Sequence, residues 1–274
     1  MKLFLLFTVA MAACIQALPS FPTLPIVWKG AQWKVGQKDV PGGNYNVIQS
    51  NNVEYRVIAP DPIDKSTPVM KVYYGNQTRS GGGSQFRSKV ISATEAVLTY
   101  KVYFDPSFKP AKGGKLPGLY GGSHGHCAGG VLSNGIDCWT ARLMWQKQQI
   151  EGVIYAYIPQ KENLHFCQQK IASCNMGFGW SFHGGIFFQT GRWITITEYI
   201  KLNDVGKSNG IMGLEVDGVV KIYVDSVVFR KTAALKIDGL FFSTFYGGKC
   251  DQDITWCPPN PTHTCFKDFV ISAQ

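Results

Sequence analysis

The chain is short of acid: 18 Asp and Glu stand against 27 Lys and Arg, a formal net charge of +9. Beyond its first residues it has no run approaching ~18 uninterrupted apolar residues, so no membrane-spanning helix is expected. No segment holds a long helical repeat, and "TAALKIDG" (232–239) allows at most a turn or two. There is no G-x-S-x-G element, which leaves a serine hydrolase without its nucleophile elbow. There is no G-x-x-x-x-G-K-[ST] either, so the glycine-rich "KGGKLPGLYGG" (112–122) is not a phosphate loop. The string "HGHC" (124–127) lacks a C-x-x-C or second His pair, and no metal or other cofactor is expected. A glycoside hydrolase needs two carboxylates about 5–10 Å apart. The strand motif E-x-D-x-x-E is missing, and "ITEYIK" supplies only Glu198, on the apolar side of its strand.

What is present begins with Met1-Lys2 and the apolar "LFLLFTVAMAA", followed by small residues. Residues 1–17 are expected to be a secretory signal peptide ending at Ala17, and 18–274 a single domain that is secreted, extracellular and monomeric. Outside the cell, a basic protein meets nucleic acid or membrane less naturally than an acidic polysaccharide, although the charge also serves solubility alone. Of eight cysteines, Cys14 falls in the leader. Cys127–Cys138, Cys167–Cys174 and Cys250–Cys257 are sequence neighbours and read as three local disulfides, with Cys265 free; spacing alone does not fix that pairing. Asn76 heads an N-Q-T sequon beside "RSGGGSQFRS" (79–88), which reads as a mobile surface loop.

Strand signals dominate. "VEYRVIA", "VMKVYY", "AVLTYKVYF", "TARLMW", "GVIYAYIP", "RWITITEYIKL", "VVKIYV" and "CFKDFVIS" are short and rich in β-branched and aromatic residues. Asp217-Gly218 between apolar-alternating arms marks a hairpin. The pattern predicts an all-β jelly-roll sandwich. In "RWITITEYIKL", Thr195, Thr197, Tyr199 and Lys201 share one face; in "AVLTYKVYF", Thr99, Lys101 and Tyr103 do. Faces of hydroxyls, rings and lysine suit a groove that grips sugar.

"TARLMW" and "GVIYAYIP", paired as a hairpin, turn Ala141, Leu143 and Trp145 inward with Ile154, Ala156 and Ile158. Thr140, Arg142, Tyr155 and Tyr157 then share the other face. Two phenols beside a guanidinium suit β-elimination on a uronate. The carboxyl group makes the C5 proton removable once a cation stabilises the enediolate, while one group takes that proton and another protonates the departing O4. The same tyrosines also read as half-buried strand aromatics.

"KGGKLPGLYGG", "CWTARLMW", "VIYAYIP" and "DGLFFSTFYGG", in that order, resemble the alginate lyases of polysaccharide lyase family 14, particularly the secreted digestive enzymes of herbivorous molluscs. The glucuronan lyases are similar at greater distance. The resemblance runs from about Val53 to the C-terminus. It implies a β-jelly roll with a concave cleft and eliminative cleavage of β-1,4-linked mannuronate in alginate. The family's essential lysine maps to Lys115, its Ser-x-Arg to Thr140 and Arg142 (with Thr in place of Ser), and its Tyr-x-Tyr to Tyr155 and Tyr157. The glycine-rich stretch is then expected to be a flexible arm bringing Lys115 over the cleft. Arg87, Lys101 and Lys201 are candidates for flanking substrate subsites, and His126 for assisting proton transfer.

Overall fold

A computed structural model describes residues 18–75, 82–122, 127–147, 149–248, 250 and 252–274. Residues 1–17, expected to be a signal peptide, the Asn76 sequon and His126 lie outside the described residues. Strands β1 (Ile26–Lys29), β2 (Val47–Asn51), β3 (Arg56–Pro60), β4 (Pro68–Tyr74), β5 (Ser84–Ala93), β6 (Glu95–Phe104), β7 (Gly113–Gly121) and β8 (Trp139–Gln146) form the first half. Strands β9 (Glu151–Tyr157), β10 (Ala172–Ser173), β11 (Trp180–Phe187), β12 (Trp193–Lys201), β13 (Gly210–Val216), β14 (Val219–Val227), β15 (Ile237–Tyr246) and β16 (Thr262–Ala273) form the second. Among the described residues, helical structure is confined to short 3-10 turns, the longest at Lys161–Gln168.

The strands make two eight-stranded antiparallel sheets, a jelly-roll sandwich. One runs β14-β13-β12-β6-β16-β4-β3 with β1 added on β16; the other runs β10-β11-β9-β8-β7-β15-β5-β2. Alternation decides what lies between them. Leu98, Tyr100, Val102 and Phe104 of β6 face Ala141, Leu143 and Trp145 of β8 and Ile154 and Ala156 of β9, all essentially water-free. Trp145 sits at the centre of an aromatic cluster with Tyr74, Phe104, Phe108 and Tyr246, each ring 5–6 Å away and edge-on. The β13–β14 hairpin turns on Asp217 (φ 50°) and Gly218 (φ 79°), the left-handed pair that a type I′ turn requires.

Three expectations change. The glycine-rich stretch is not an arm: β7 is a central strand buried along its whole length. Its glycines are there because neighbours leave no room for a side chain. A Cβ on Gly114 would lie 2.1 Å from the Trp145 ring, and one on Gly118 would lie 2.2 Å from the Ala141 carbonyl oxygen. The β7–β8 register shifts between Leu116 and Gly118, so Pro117 falls where the ladder skips, and its carbonyl accepts the Tyr100 hydroxyl at 3.1 Å. Secondly, the described part of "RSGGGSQFRS" belongs largely to β5, with Arg87 and Ser88 buried. Thirdly, the Thr/Tyr/Lys faces of β6 and β12 form the outer surface of the other sheet. Tyr199 is covered there by Phe21, 5.2 Å between rings, and donates its hydroxyl to Glu95. Alternation assigns a residue to a face but not to a sheet.

Glu198 points into the core, as the alternation of β12 requires. Its Oε2 accepts the Leu119 N–H of β7 at 2.8 Å, and burial pushes its carboxyl well above the usual range, so it is held protonated.

Candidate active site

Cross-strand register builds the site. Ser173 pairs with Ser181, Ser181 with Tyr155, Tyr155 with Arg142, Arg142 with Gly118, Gly118 with Phe241, Phe241 with Arg87 and Arg87 with Gln49. One row of side chains therefore crosses the sheet at right angles to its strands, on the face turned away from the core. The adjacent row joins Val153, Met144, Lys115 and Phe245. Gly118 leaves a gap in the first row that larger neighbours surround.

Above these rows lies a cavity of about 680 Å³, lined by Lys115, Arg142, Tyr155, Tyr157 and Arg87 together with Gln49, Gln85, Met144, Phe241 and Phe245. Its walls are loops stapled by disulfides. Ala128 and Gly129 follow Cys127, Asn175 and Phe178 follow Cys174, Gly247 and Gly248 precede the Cys250–Cys257 loop, and Trp256 lies within it. All three pairings are the local ones, and Cys265 is a buried free thiol.

Among the described residues, the cavity is lined by three cations and no carboxylate. Lys115 is 8 % exposed, Arg87 6 % and Arg142 2 %. The Lys115 ammonium lies 3.1 Å from the Met144 sulfur and 4.0 Å from the Tyr155 ring centre. Burial, and then the neighbouring Arg142, hold its pKa well below the usual lysine value. Burial also brings Arg142 down to about 10. Arg142 donates to the Ser243 hydroxyl at 3.0 Å, and Ser243 in turn donates to Gln85 Oε1 at 3.1 Å. An arginine braced this way presents its fork in one orientation.

The Tyr155 and Tyr157 rings meet edge to face, 5.6 Å apart. Each phenol oxygen accepts one backbone N–H at 3.2 Å, Gly179 to Tyr155 and Gly130 to Tyr157. Gly179 must be glycine, because a Cβ would lie 2.8 Å from the Tyr157 ring. For Tyr155, burial and the adjacent Tyr157 outweigh the Gly179 N–H and Arg142, so its pKa rises above the ordinary phenol value. A neighbouring cation favours the phenolate, but here desolvation wins, and Tyr155 keeps its proton.

Lys115, Arg142, Tyr155, Tyr157 and Arg87 are thus brought together. Thr140 is not part of the lining: it is buried, and its hydroxyl donates to the Cys127 carbonyl at 2.8 Å, tying the disulfide loop to the sheet. Lys101 and Lys201 stand on the other sheet's outer face, where Lys101 pairs with Asp268 at 2.9 Å and Lys201 is exposed. No cluster of three metal-ligating side chains occurs among the described residues. Sequence reasoning missed Gln49, Gln85, Met144, Phe241, Ser243 and Phe245. Met144 continues the Thr140–Arg142 alternation, and "DGLFFSTFY" alternates so that Phe241, Ser243 and Phe245 share a face; both signals were readable.

Residues 62–269 match the polysaccharide lyase 14 family. The chain belongs to that family. The crystal structure of the marine polysaccharide lyase 14 alginate lyase from Aplysia kurodai is similar, with a TM-score of 0.78 and 28 % identity over 91 % of this chain and 99 % of that one. The alginate lyase from Chlorella virus shares the fold at a TM-score of 0.66 and 20 % identity, covering 85 % of this chain and 94 % of that one. Exolysin from Paramecium bursaria Chlorella virus 1 is 35 % identical over 80 residues, 29 % of this chain and only 12 % of Exolysin.

Proposed function

We propose that the chain is a secreted alginate lyase that cleaves β-1,4-linked mannuronate-rich chains by β-elimination. The observation behind this reading is the three buried cations and two tyrosines around one cavity that no carboxylate of the described residues lines. Such a site attracts a polyanion, and its described residues supply no acid pair for hydrolysis.

The uronate carboxylate lies against Lys115 and Arg142. Both are already desolvated, and both gain from the charge that builds on the carboxyl oxygens as the enediolate forms. Binding an anion raises the Lys115 pKa again and keeps the ammonium charged when it is needed. Tyr157 is the base that takes the C5 proton. The Gly130 N–H points at the Tyr157 oxygen. Tyr155, kept protonated by burial, gives its proton to O4 as the C4–O4 bond breaks. The C4=C5 double bond forms from the electron pair of the C5–H bond, leaving a 4,5-unsaturated uronate on one fragment and a free hydroxyl on the other.

Incubation with polymannuronate, polyguluronate and glucuronan separately, followed by ultraviolet absorbance of the unsaturated end, tests the reading. The steepest rise is expected on polymannuronate. A rise on glucuronan alone would move the substrate and keep the mechanism. Binding without any rise would make the chain a lectin on a lyase scaffold.

A further inference from the structure

Arg87 and Arg142 lean on the same aromatic ring. Their guanidinium carbons lie 4.2 and 4.6 Å from the centre of Phe241, so the two charges are no farther apart than the sum of those distances. Their backbones are three strand steps apart, on β5 and β8, with β15 and β7 between; at ~4.8 Å per step the Cα atoms are roughly 14 Å apart. The side chains therefore converge over the glycine gap at Gly118.

Packing does not account for this convergence. Two like charges share a site from which water is largely excluded, and among the described residues neither has an ion pair. Arg87 donates to Gln49 Oε1 at 2.6 Å, and Arg142 to Ser243, while the Nε of each is buried with no partner among the described residues. Methionine or leucine would fill either position at lower electrostatic cost. Each fork keeps donors for a bidentate carboxylate.

We infer that Arg87 is a specificity-determining residue: it binds a second carboxylate of the same substrate chain while Arg142 holds the reacting one, so productive binding requires a run of uronates. This rests on the polyuronate reading above and extends it. Two carboxylates entering together relieve the repulsion between the guanidiniums, so each site favours occupation of the other. A chain in which neutral sugars separate the uronates neutralises only Arg142. Phe241 sets the spacing between the two and covers both guanidinium planes from water.

Because Arg87 acts on a sugar that does not react, its loss affects binding more than chemistry. A hydrogen-bonded charge is worth about 1.5–3 kcal/mol, roughly a ten- to hundredfold change in affinity. Arg87→Met is expected to raise KM on polymannuronate by that factor, hold kcat within about threefold, and flatten the dependence of KM on salt. Arg87→Lys should recover part of the loss, and neither variant should melt below the wild type. A second arm uses the inactive Lys115→Met protein and calorimetry with mannuronate oligomers of increasing length. One added sugar should bring a step in affinity that the Lys115→Met, Arg87→Met protein lacks. An unchanged KM, a kcat that falls as far as kcat/KM, or the same affinity step without Arg87 would overturn the inference. If wild-type protein shows no elimination on any polyuronate yet the Arg87-dependent step appears, the catalytic reading fails and the second carboxylate site stands.

Discussion

Lys115→Met should move activity and stability in opposite directions. Methionine keeps most of the side-chain volume beside Met144 and Tyr155 but removes a cation that has no ion pair among the described residues. Turnover should fall by about 10²–10³ or more, the usual cost of losing one preorganised group aimed at developing charge. Stability should rise by about 1–3 kcal/mol or more, because an unsatisfied buried polar group already costs that much and a charge costs more. In a domain of this size that is roughly 3–10 °C in Tm. The pH dependence fixes the sign independently. The Lys115 pKa is depressed in the folded state, so between that value and the unfolded 10.5 the unfolded chain binds more protons. Wild-type stability from this group is therefore full above 10.5 and lost as pH falls toward the folded pKa. The advantage of Lys115→Met should widen as pH is lowered from 10 to 7. Thermal melts across that range and the ultraviolet assay give both readouts. A variant that melts below wild type at neutral pH, or that retains turnover, would refute the argument.

Gly118→Ala puts a methyl group 2.2 Å from the Ala141 carbonyl oxygen and 2.6 Å from the Arg142 Cα, backbone atoms that cannot swing away. A loss of about 3 kcal/mol is expected by urea melts, while Gly75→Ala, with nothing within 4 Å, should stay within about 0.5 kcal/mol of wild type; equal stability of the two would contradict the strand assignment. Glu198→Gln preserves an acceptor for the Leu119 N–H and removes a buried acid with a raised pKa, whose stabilising contribution is full below 4.5 and is lost as pH rises. Its Tm should match wild type near pH 4 and exceed it increasingly toward pH 8, and a constant difference would contradict this. Changing both Cys250 and Cys257 to Ser opens a bridge between residues seven apart, worth about 2 kcal/mol. It should also raise KM severalfold, because that loop holds Trp256 against the cavity; an unchanged KM would show that the wall does not touch substrate.

The β8–β9 hairpin was the most legible part of the chain. Its core is continuous, so strict alternation put Arg142, Tyr155 and Tyr157 on one face before any tertiary contact was known. Thr140 shared that face, but a loop folded over it, and alternation carries no information about what covers a residue. Lys101 and Lys201 were misplaced for a related reason, since the two sheets present similar strands and only long-range pairing sorts them. The β7 stretch was hardest to read. Glycine ordinarily signals a turn, and the cause here is Trp145 and Ala141 on the neighbouring strand, 31 residues from Gly114 and 23 from Gly118 in sequence. The brace from Arg142 through Ser243 to Gln85 joins residues more than a hundred positions apart. No local pattern contains such a contact.

The central claim is elimination without water. The most direct test digests polymannuronate with the purified protein in ¹⁸O-labelled water and weighs the oligomers produced. Elimination predicts new ends that contain no ¹⁸O, with one fragment of each cut lighter by one water than a saturated oligomer. Incorporation of one ¹⁸O per cleavage, with only saturated products, would show hydrolysis and contradict the account.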